Sequence, residues 1–156
     1  GVQTCALPIC NALAEGYLRL GQLPKARSAY EAVLKQEPRN VAAMNNLAQV
    51  LMRLNEPKAV ELAEQAVGLA PGDPNLLDTL GWLQVRRGDL DQGLARLREA
   101  RERAPGGRDI RYHLAWALAR KGLKEEARAE LASAFRASGE FESEPEARRL
   151  HQEIGS

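Results

Sequence analysis

The chain has 156 residues, and its 22 Lys and Arg against 21 Asp and Glu leave a formal net charge of +1. This balance gives no electrostatic reason to expect binding to nucleic acid or to an anionic membrane. No run of 18 apolar residues occurs, so direct insertion of this chain into a membrane is not expected. With 44% hydrophobic and 28% charged residues, the chain is predicted to fold rather than to be disordered.

The first nine residues read G-V-Q-T-C-A-L-P-I, which resembles the translation of a common sequencing adapter. Residues 1–10 are therefore interpreted as an adapter-derived artefact plus its junction, and the chain as a fragment of a longer protein. In the alternative interpretation these residues are genuine, and Cys5 and Cys10 form a weak metal-binding or redox pair.

A period of about 34 residues organises the rest of the chain. Prolines follow apolar helical segments at intervals of 33 and 34 residues, at Pro38, Pro71 and Pro105. Small residues recur in two columns, Ala14, Ala48, Gly81 and Ala115, and then Ala26, Ala59, Gly93 and Ala127. Residues that tolerate a left-handed backbone, and so end helices, form a third column of Gly21, Asn55, Gly88 and Gly122. Each unit is thus predicted to contain two antiparallel helices joined by a tight turn.

These landmarks resemble those of the tetratricopeptide repeat. The first unit matches through Ala14, Tyr17, Gly21, Ala26, Tyr30 and Pro38, and the second through Leu47, Ala48, Leu51, Asn55, Ala59 and Pro71. The third matches through Leu80, Gly81, Gly88, Gly93 and Pro105, and the fourth through Leu114, Ala115, Leu118, Gly122 and Ala127. Two features depart from the pattern, since Gln84 replaces a large apolar residue and the fourth unit lacks the closing proline. The resemblance implies an all-α fold, a right-handed α-solenoid of repeats at 11–39 (with a truncated start), 40–73, 74–107 and 108–137.

The remaining segment, 138–156, is predicted to contain a linker and a C-terminal capping helix. Ser143 and Glu146 have the spacing of a capping box. Ala147, Leu150 and Ile154 form an apolar stripe that can cover the last repeat, which a solenoid needs at its end.

A narrower resemblance rests on the amino-acid sequences of residues 45–48, 61–66, 78–82 and 110–115. These phrases are similar to the C-terminal repeats of bacterial tetratricopeptide lipoproteins of the PEP-CTERM/exosortase systems. This resemblance implies a periplasmic or envelope-associated scaffold; without it, a cytoplasmic location is expected.

In a solenoid the first helix of each repeat lines the concave surface, so binding residues are expected on these helices. Three columns of exposed candidates lie one helical turn apart: Asn11, Asn45, Asp78 and Tyr112; Glu15, Gln49, Trp82 and Trp116; Arg19, Arg53, Arg86 and Arg120. The predicted partner-binding residues are Asn45, Gln49, Asp78, Trp82, Arg86, Tyr112, Trp116 and Arg120. An apolar group of a peptide or helix would contact the aromatic residues, while the arginines bind a carboxylate or backbone carbonyls.

Each column also has a purely structural interpretation. The arginines lie in the last turns of their helices, where cations interact favourably with the helix dipole. The two tryptophans could pack as wedges between adjacent repeats. Asn45 and Asn46 could serve as backbone or inter-helix hydrogen-bond partners.

No sequence motif for catalysis is present. The chain has no Ser-centred nucleophile elbow, no phosphate-binding Gly loop followed by Lys, and no two-His helical metal motif. We therefore expect no enzymatic activity, no cofactor and no metal site in this chain.

Three functions are compatible with these features. The first is a protein–protein interaction scaffold that holds a partner peptide or helix in the groove. The second is a structural spacer or cap of a longer superhelix in an envelope assembly, and the third is a non-catalytic region of a larger enzyme.

Overall fold

The computed structural model describes residues 6–155, which form nine α-helices and no strand. The helices are α1 (Leu7–Arg19), α2 (Leu23–Gln36), α3 (Val41–Arg53), α4 (Lys58–Leu69), α5 (Pro74–Arg87), α6 (Leu90–Arg103), α7 (Arg108–Arg120), α8 (Lys124–Arg136) and α9 (Glu144–Gly155). The chain divides into two compact units, Gly1–Pro71 and Gly72–Ser156. Helices α1–α4 belong to the first unit and α5–α9 to the second.

Each unit is built from the predicted helical hairpins. In the first unit α1 pairs with α2 and α3 with α4, and α2 also packs on α3. In the second unit α5 pairs with α6 and α7 with α8, while α7 also contacts α5 and α6. The prediction of two antiparallel helices per repeat is confirmed.

The first helix of every hairpin ends where the sequence predicts. Gly21, Asn55, Gly88 and Gly122 all have positive φ angles, of 67°, 57°, 100° and 84°. The left-handed conformation reverses the chain over one or two residues and lets the second helix begin at once. Asn55 is the one non-glycine residue among residues 6–155 that adopts this left-handed conformation.

The two columns of small residues lie in the interior, and in the α5–α6 hairpin they face each other. The alanines of both columns are almost completely buried. In the α5–α6 hairpin both positions are glycine, and the backbones are so close that a Cβ atom added to Gly93 would lie 2.7 Å from the carbonyl oxygen of Gly81. The small residues therefore set the distance between paired helices.

The predicted capping helix is present as α9, and it packs on α7 and α8. Its predicted apolar stripe, Ala147, Leu150 and Ile154, is buried and joins the core of the second unit. The predicted capping box is wrong. In such a box the Glu146 side chain would accept a hydrogen bond from the backbone N–H of Ser143. This N–H donates instead to Asp109 Oδ1 at 2.7 Å, and Glu146 pairs with Arg149.

Two neighbouring residues at the start of α7 hold the linker before α9. Asp109 accepts hydrogen bonds from the backbone N–H groups of Glu142 and Ser143. Arg108 donates from Nε to the carbonyl oxygen of Ala134 and from Nη1 to that of Gly139, both at 2.8 Å. These bonds satisfy backbone groups that the irregular linker leaves without helical partners.

The segment 1–10, interpreted above as an artefact plus junction, is described only in part. Residues 1–5, including Cys5, lie outside the described residues, whereas Leu7–Cys10 form the first turn of α1 and Cys10 is buried. The origin of this segment stays a prediction. Among residues 6–155, no helix is long and apolar enough to cross a membrane.

Candidate functional site

Six of the eight predicted binding residues belong to the second unit and occupy two helices. Asp78, Trp82 and Arg86 lie four residues apart on α5, and Tyr112, Trp116 and Arg120 lie four residues apart on α7. Four residues are slightly more than one helical turn, so each set lines one side of its helix. Because α5 and α7 contact each other, the two sets form one surface, which we call the α5–α7 face.

The structure brings the aromatic side chains of this face together. The rings of Trp82 and Trp116 meet edge to face, with centroids 5.1 Å apart and planes at 81°. Trp82 also contacts Tyr112 at a centroid distance of 6.0 Å. Both tryptophans are half-buried, so they join adjacent repeats and still present part of their rings to solvent.

An arginine side chain lies over the ring of each tryptophan of the α5–α7 face. Arg86 Cζ lies 5.6 Å from the ring centroid of Trp82, and Arg120 Cζ lies 4.5 Å from that of Trp116, both within the range of cation–π attraction. Both arginines are exposed, and within the described chain neither forms an ion pair with a carboxylate. The guanidinium groups are thus held in place on the rings while their hydrogen-bond donors stay open to a ligand.

His113 is a member of this face that the sequence analysis missed. Its Nδ1 atom lies 2.8 and 3.0 Å from the two carboxylate oxygens of Asp78, and its ring stacks on Trp82 at 4.4 Å with planes 20° apart. The carboxylate of Asp78, predicted to contact a partner, is therefore engaged within the protein. The signal in the sequence was the separation of 35 residues between Asp78 and His113, one more than the repeat period. One extra residue turns the side chain about 100° around α7, toward α5.

Tyr112 differs from the exposed aromatic residue that the sequence predicts. It is only 7% exposed, because α9 lies beside it. Tyr112 and Trp116 line one side of a pocket of about 320 Å³ whose other side is formed by Glu146, Arg149, Leu150 and Glu153 of α9. Burial raises the pKa of the Tyr112 hydroxyl, and the charge of Glu146 adds to the effect. Its role in partner binding stays a prediction.

The raised pKa of Tyr112 predicts that its hydroxyl ionises at a higher pH than that of an unperturbed tyrosine. The absorbance at 295 nm of wild type minus that of Tyr112→Phe should rise with a midpoint above the ordinary value of 10.0. Because the folded-state pKa is the higher one, the contribution of Tyr112 to stability is complete below pH 10 and is lost as the pH rises through the folded-state value. A difference midpoint at or below 10 would contradict the buried position of the hydroxyl.

The two remaining predicted residues, Asn45 and Gln49, lie on α3 in the first unit. Both are half-buried. The Asn45 Oδ1 atom is buried without a hydrogen-bond partner among the described residues. This atom therefore makes no inter-helix hydrogen bond of the kind that the sequence suggested. Binding of a partner by either residue stays a prediction.

Within residues 6–155, no group of three or more His, Cys, Asp or Glu side chains is placed to hold a metal ion. The closest approach of such groups on the α5–α7 face is the Asp78–His113 pair.

Comparisons with known proteins identify the repeat. The family model described as tetratricopeptide repeat matches residues 11–74 and 79–143. A TPR repeat-containing protein of Pseudomonas aeruginosa is 36% identical over 84 residues, which are 53% of this chain and 14% of that protein. The chain therefore spans about one-seventh of the length of this relative.

Solved structures show the same fold. A thermophilic TPR protein of Thermus thermophilus superposes with a TM-score of 0.84 at 23% identity, covering 96% of this chain and 81% of that one. YrrB, a TPR protein with an unusual peptide-binding site, superposes with a TM-score of 0.70 at 23% identity, covering 96% and 74%. The predicted fold class, an all-α solenoid of helix-turn-helix repeats, is confirmed. With most of its length matched by the family model, the chain belongs to the tetratricopeptide repeat family.

Proposed function

We propose that this chain is a protein–protein interaction scaffold that binds a partner peptide or helix on the α5–α7 face. The tetratricopeptide fold itself is consistent with an interaction scaffold, and its structural neighbour YrrB is a TPR protein with an unusual peptide-binding site. The observation that carries the proposal is the pair of arginines, each lying over a tryptophan and neither forming an ion pair with a carboxylate.

The chemistry of the face defines the partner. Arg86 and Arg120 each present a planar set of donors that fits a carboxylate in a bidentate manner. The cation–π contacts already restrict the two side chains, so less conformational entropy is lost when a carboxylate binds. The half-buried rings of Trp82 and Trp116 offer apolar surface beside them. The partner segment should therefore carry an acidic group next to an apolar side chain.

The proposal extends to the setting of the longer protein only through sequence resemblance. The similarity of residues 45–48, 61–66, 78–82 and 110–115 to repeats of PEP-CTERM-system lipoproteins supports a bacterial envelope scaffold. On this view the present chain supplies one binding segment of a longer repeat protein.

Peptide selection tests the proposed face. A random 12-residue peptide library is selected on wild-type protein, and the dissociation constants of enriched peptides are measured by fluorescence anisotropy. The variant with both Arg86→Ala and Arg120→Ala should bind at least about tenfold more weakly, since charge-assisted hydrogen bonds to the carboxylate are lost. The variant with both Trp82→Ala and Trp116→Ala should lose binding while it retains its helical circular dichroism.

A matched control separates the site from general charge. Arg87 and Arg136 are also exposed arginines of the second unit, and Arg87→Ala with Arg136→Ala removes the same net charge. This control should bind the selected peptides as wild type does. Equal losses in the two arginine double variants would indicate nonspecific charge attraction, and unchanged binding after loss of Arg86 and Arg120 would favour the spacer function.

A further inference from the structure

The pocket between α7 and α9 lies directly beside the proposed binding face. Trp116 belongs to both, and the pocket continues from it to Tyr112 and Leu150, which form an apolar floor. Tyr112 and Leu150 are both almost completely buried. The rim is charged and comes entirely from α9, through Glu146, Arg149 and Glu153.

Two of the three charged side chains on this rim form an ion pair with each other, and the third does not. Arg149 Nη2 lies 2.7 Å from Glu146 Oε1, so these two side chains neutralise each other. Glu153 forms no ion pair with any residue of the described chain. The pocket thus holds one net negative charge, contributed by a carboxylate whose oxygens remain open.

A second polar group reaches the pocket from below. Tyr112 is more than nine-tenths buried, and it lines the pocket. Glu146, Arg86, Arg149 and Glu153 all lie near enough to influence its ionisation. A phenolic hydroxyl accepts as well as donates hydrogen bonds, so a cationic donor in the pocket can bond to it.

We infer that this pocket binds an arginine side chain of the partner segment. The methylene stem would lie on Leu150 and Trp116, as long cationic side chains do on apolar surface. The guanidinium would donate to the Glu153 carboxylate and to the Tyr112 hydroxyl, which its several fixed donors can reach together. The pocket volume of about 320 Å³ is sufficient for one such side chain.

This inference rests on the proposed function and makes its partner more specific. Arg86 and Arg120 require a carboxylate, whereas the pocket beyond Trp116 requires a cation. The partner segment would therefore carry an acidic group, an apolar group and an arginine. Opposite charges at the two ends also fix the direction in which the segment lies.

The test uses N-acetyl-L-argininamide as the probe and follows backbone amide and indole N–H signals of the full chain by heteronuclear NMR. The expected result is saturable shifts at the Trp116 indole and at the amides of Leu150 and Glu153. Glu153→Gln should weaken binding of the probe about tenfold and Tyr112→Phe about threefold, since each removes one hydrogen bond to a charged donor. Glu102→Gln, an exposed glutamate of α6 without an ion-pair partner in the described chain, is the matched control and should bind as wild type does.

The inference is overturned if the probe shifts signals next to exposed carboxylates all over the surface, or if Glu153→Gln binds it as tightly as wild type. The same spectra show whether each variant remains folded. Failure of the proposed function gives a different result, because the selected acidic peptides would then be insensitive to loss of Arg86 and Arg120 while argininamide still bound at Glu153.

Discussion

Replacement of Gly93 by alanine should destabilise the protein by about 2 kcal/mol. The added Cβ atom would lie 2.3 Å from Val85 Cγ2, 2.7 Å from the carbonyl oxygen of Gly81 and 2.9 Å from the backbone nitrogen of Val85. Rotation of one side chain cannot relieve contacts with backbone atoms, so α5 and α6 would have to separate. The loss of packing should outweigh the gain in helix propensity, which is at most about 1 kcal/mol. Urea unfolding followed by circular dichroism at 222 nm measures the change.

The matched control is Gly68→Ala in α4. A Cβ atom at Gly68 meets no heavy atom within 4 Å, so only the change in helix propensity remains. This variant should be more stable than wild type by up to about 1 kcal/mol. If Gly93→Ala also proved as stable as wild type, the close approach of α5 and α6 would be wrong.

The repeat period predicted that Gly81 and Gly93 are small residues at a helix contact. It did not predict that their helices come closer together than an alanine at either position would allow. A column of small residues indicates a close approach of two helices, and the α5–α6 hairpin shows it directly. How close the helices come depends on the side chains around the contact, such as Val85 and Leu97, which meet the glycines only in the folded hairpin. Local sequence therefore fixed the pairing, and packing fixed the distance.

The α5–α7 face shows the same division between what the sequence predicted and what packing decided. The spacing of four residues predicted that Trp82 and Arg86 share one side of α5 and that Trp116 and Arg120 share one side of α7, and the rings and guanidinium groups do meet there. The contact of His113 with Asp78 was missed because it depends on the rotation of α7 relative to α5.

The position of α9 could be predicted only in part. Its apolar stripe indicated that the helix covers the last repeat. Which residues it covers depends on the linker, and the linker is held by Arg108 and Asp109 of α7 through bonds to backbone atoms. Such bonds leave no pattern in the sequence, so neither the burial of Tyr112 nor the pocket beside it was foreseen.

A partly buried ionic network in the second unit was also not foreseen. Glu130 of α8 is 15% exposed and pairs with Arg111 of α7, itself 16% exposed. Arg101 of α6 approaches the same carboxylate, with Nε 3.5 Å from Oε1, an ion-pair distance without hydrogen-bond geometry. One carboxylate thus compensates two guanidinium groups from two other helices. In the sequence these residues look like ordinary charges on solvated helix faces.

Glu130→Gln should therefore lower the free energy of unfolding by about 2 kcal/mol, because a neutral amide leaves two partly buried cations without a counter-charge. The matched control is Glu126→Gln on the same helix, where the side chain is 55% exposed and pairs with Arg98 at 3.3 Å. Solvent screens that pair, so the control should lose no more than about 0.5 kcal/mol. Urea unfolding of both variants measures the difference. Equal effects would mean that solvent compensates Arg101 and Arg111 as well as Glu130 does, and the network would then contribute nothing specific to holding α6, α7 and α8 together.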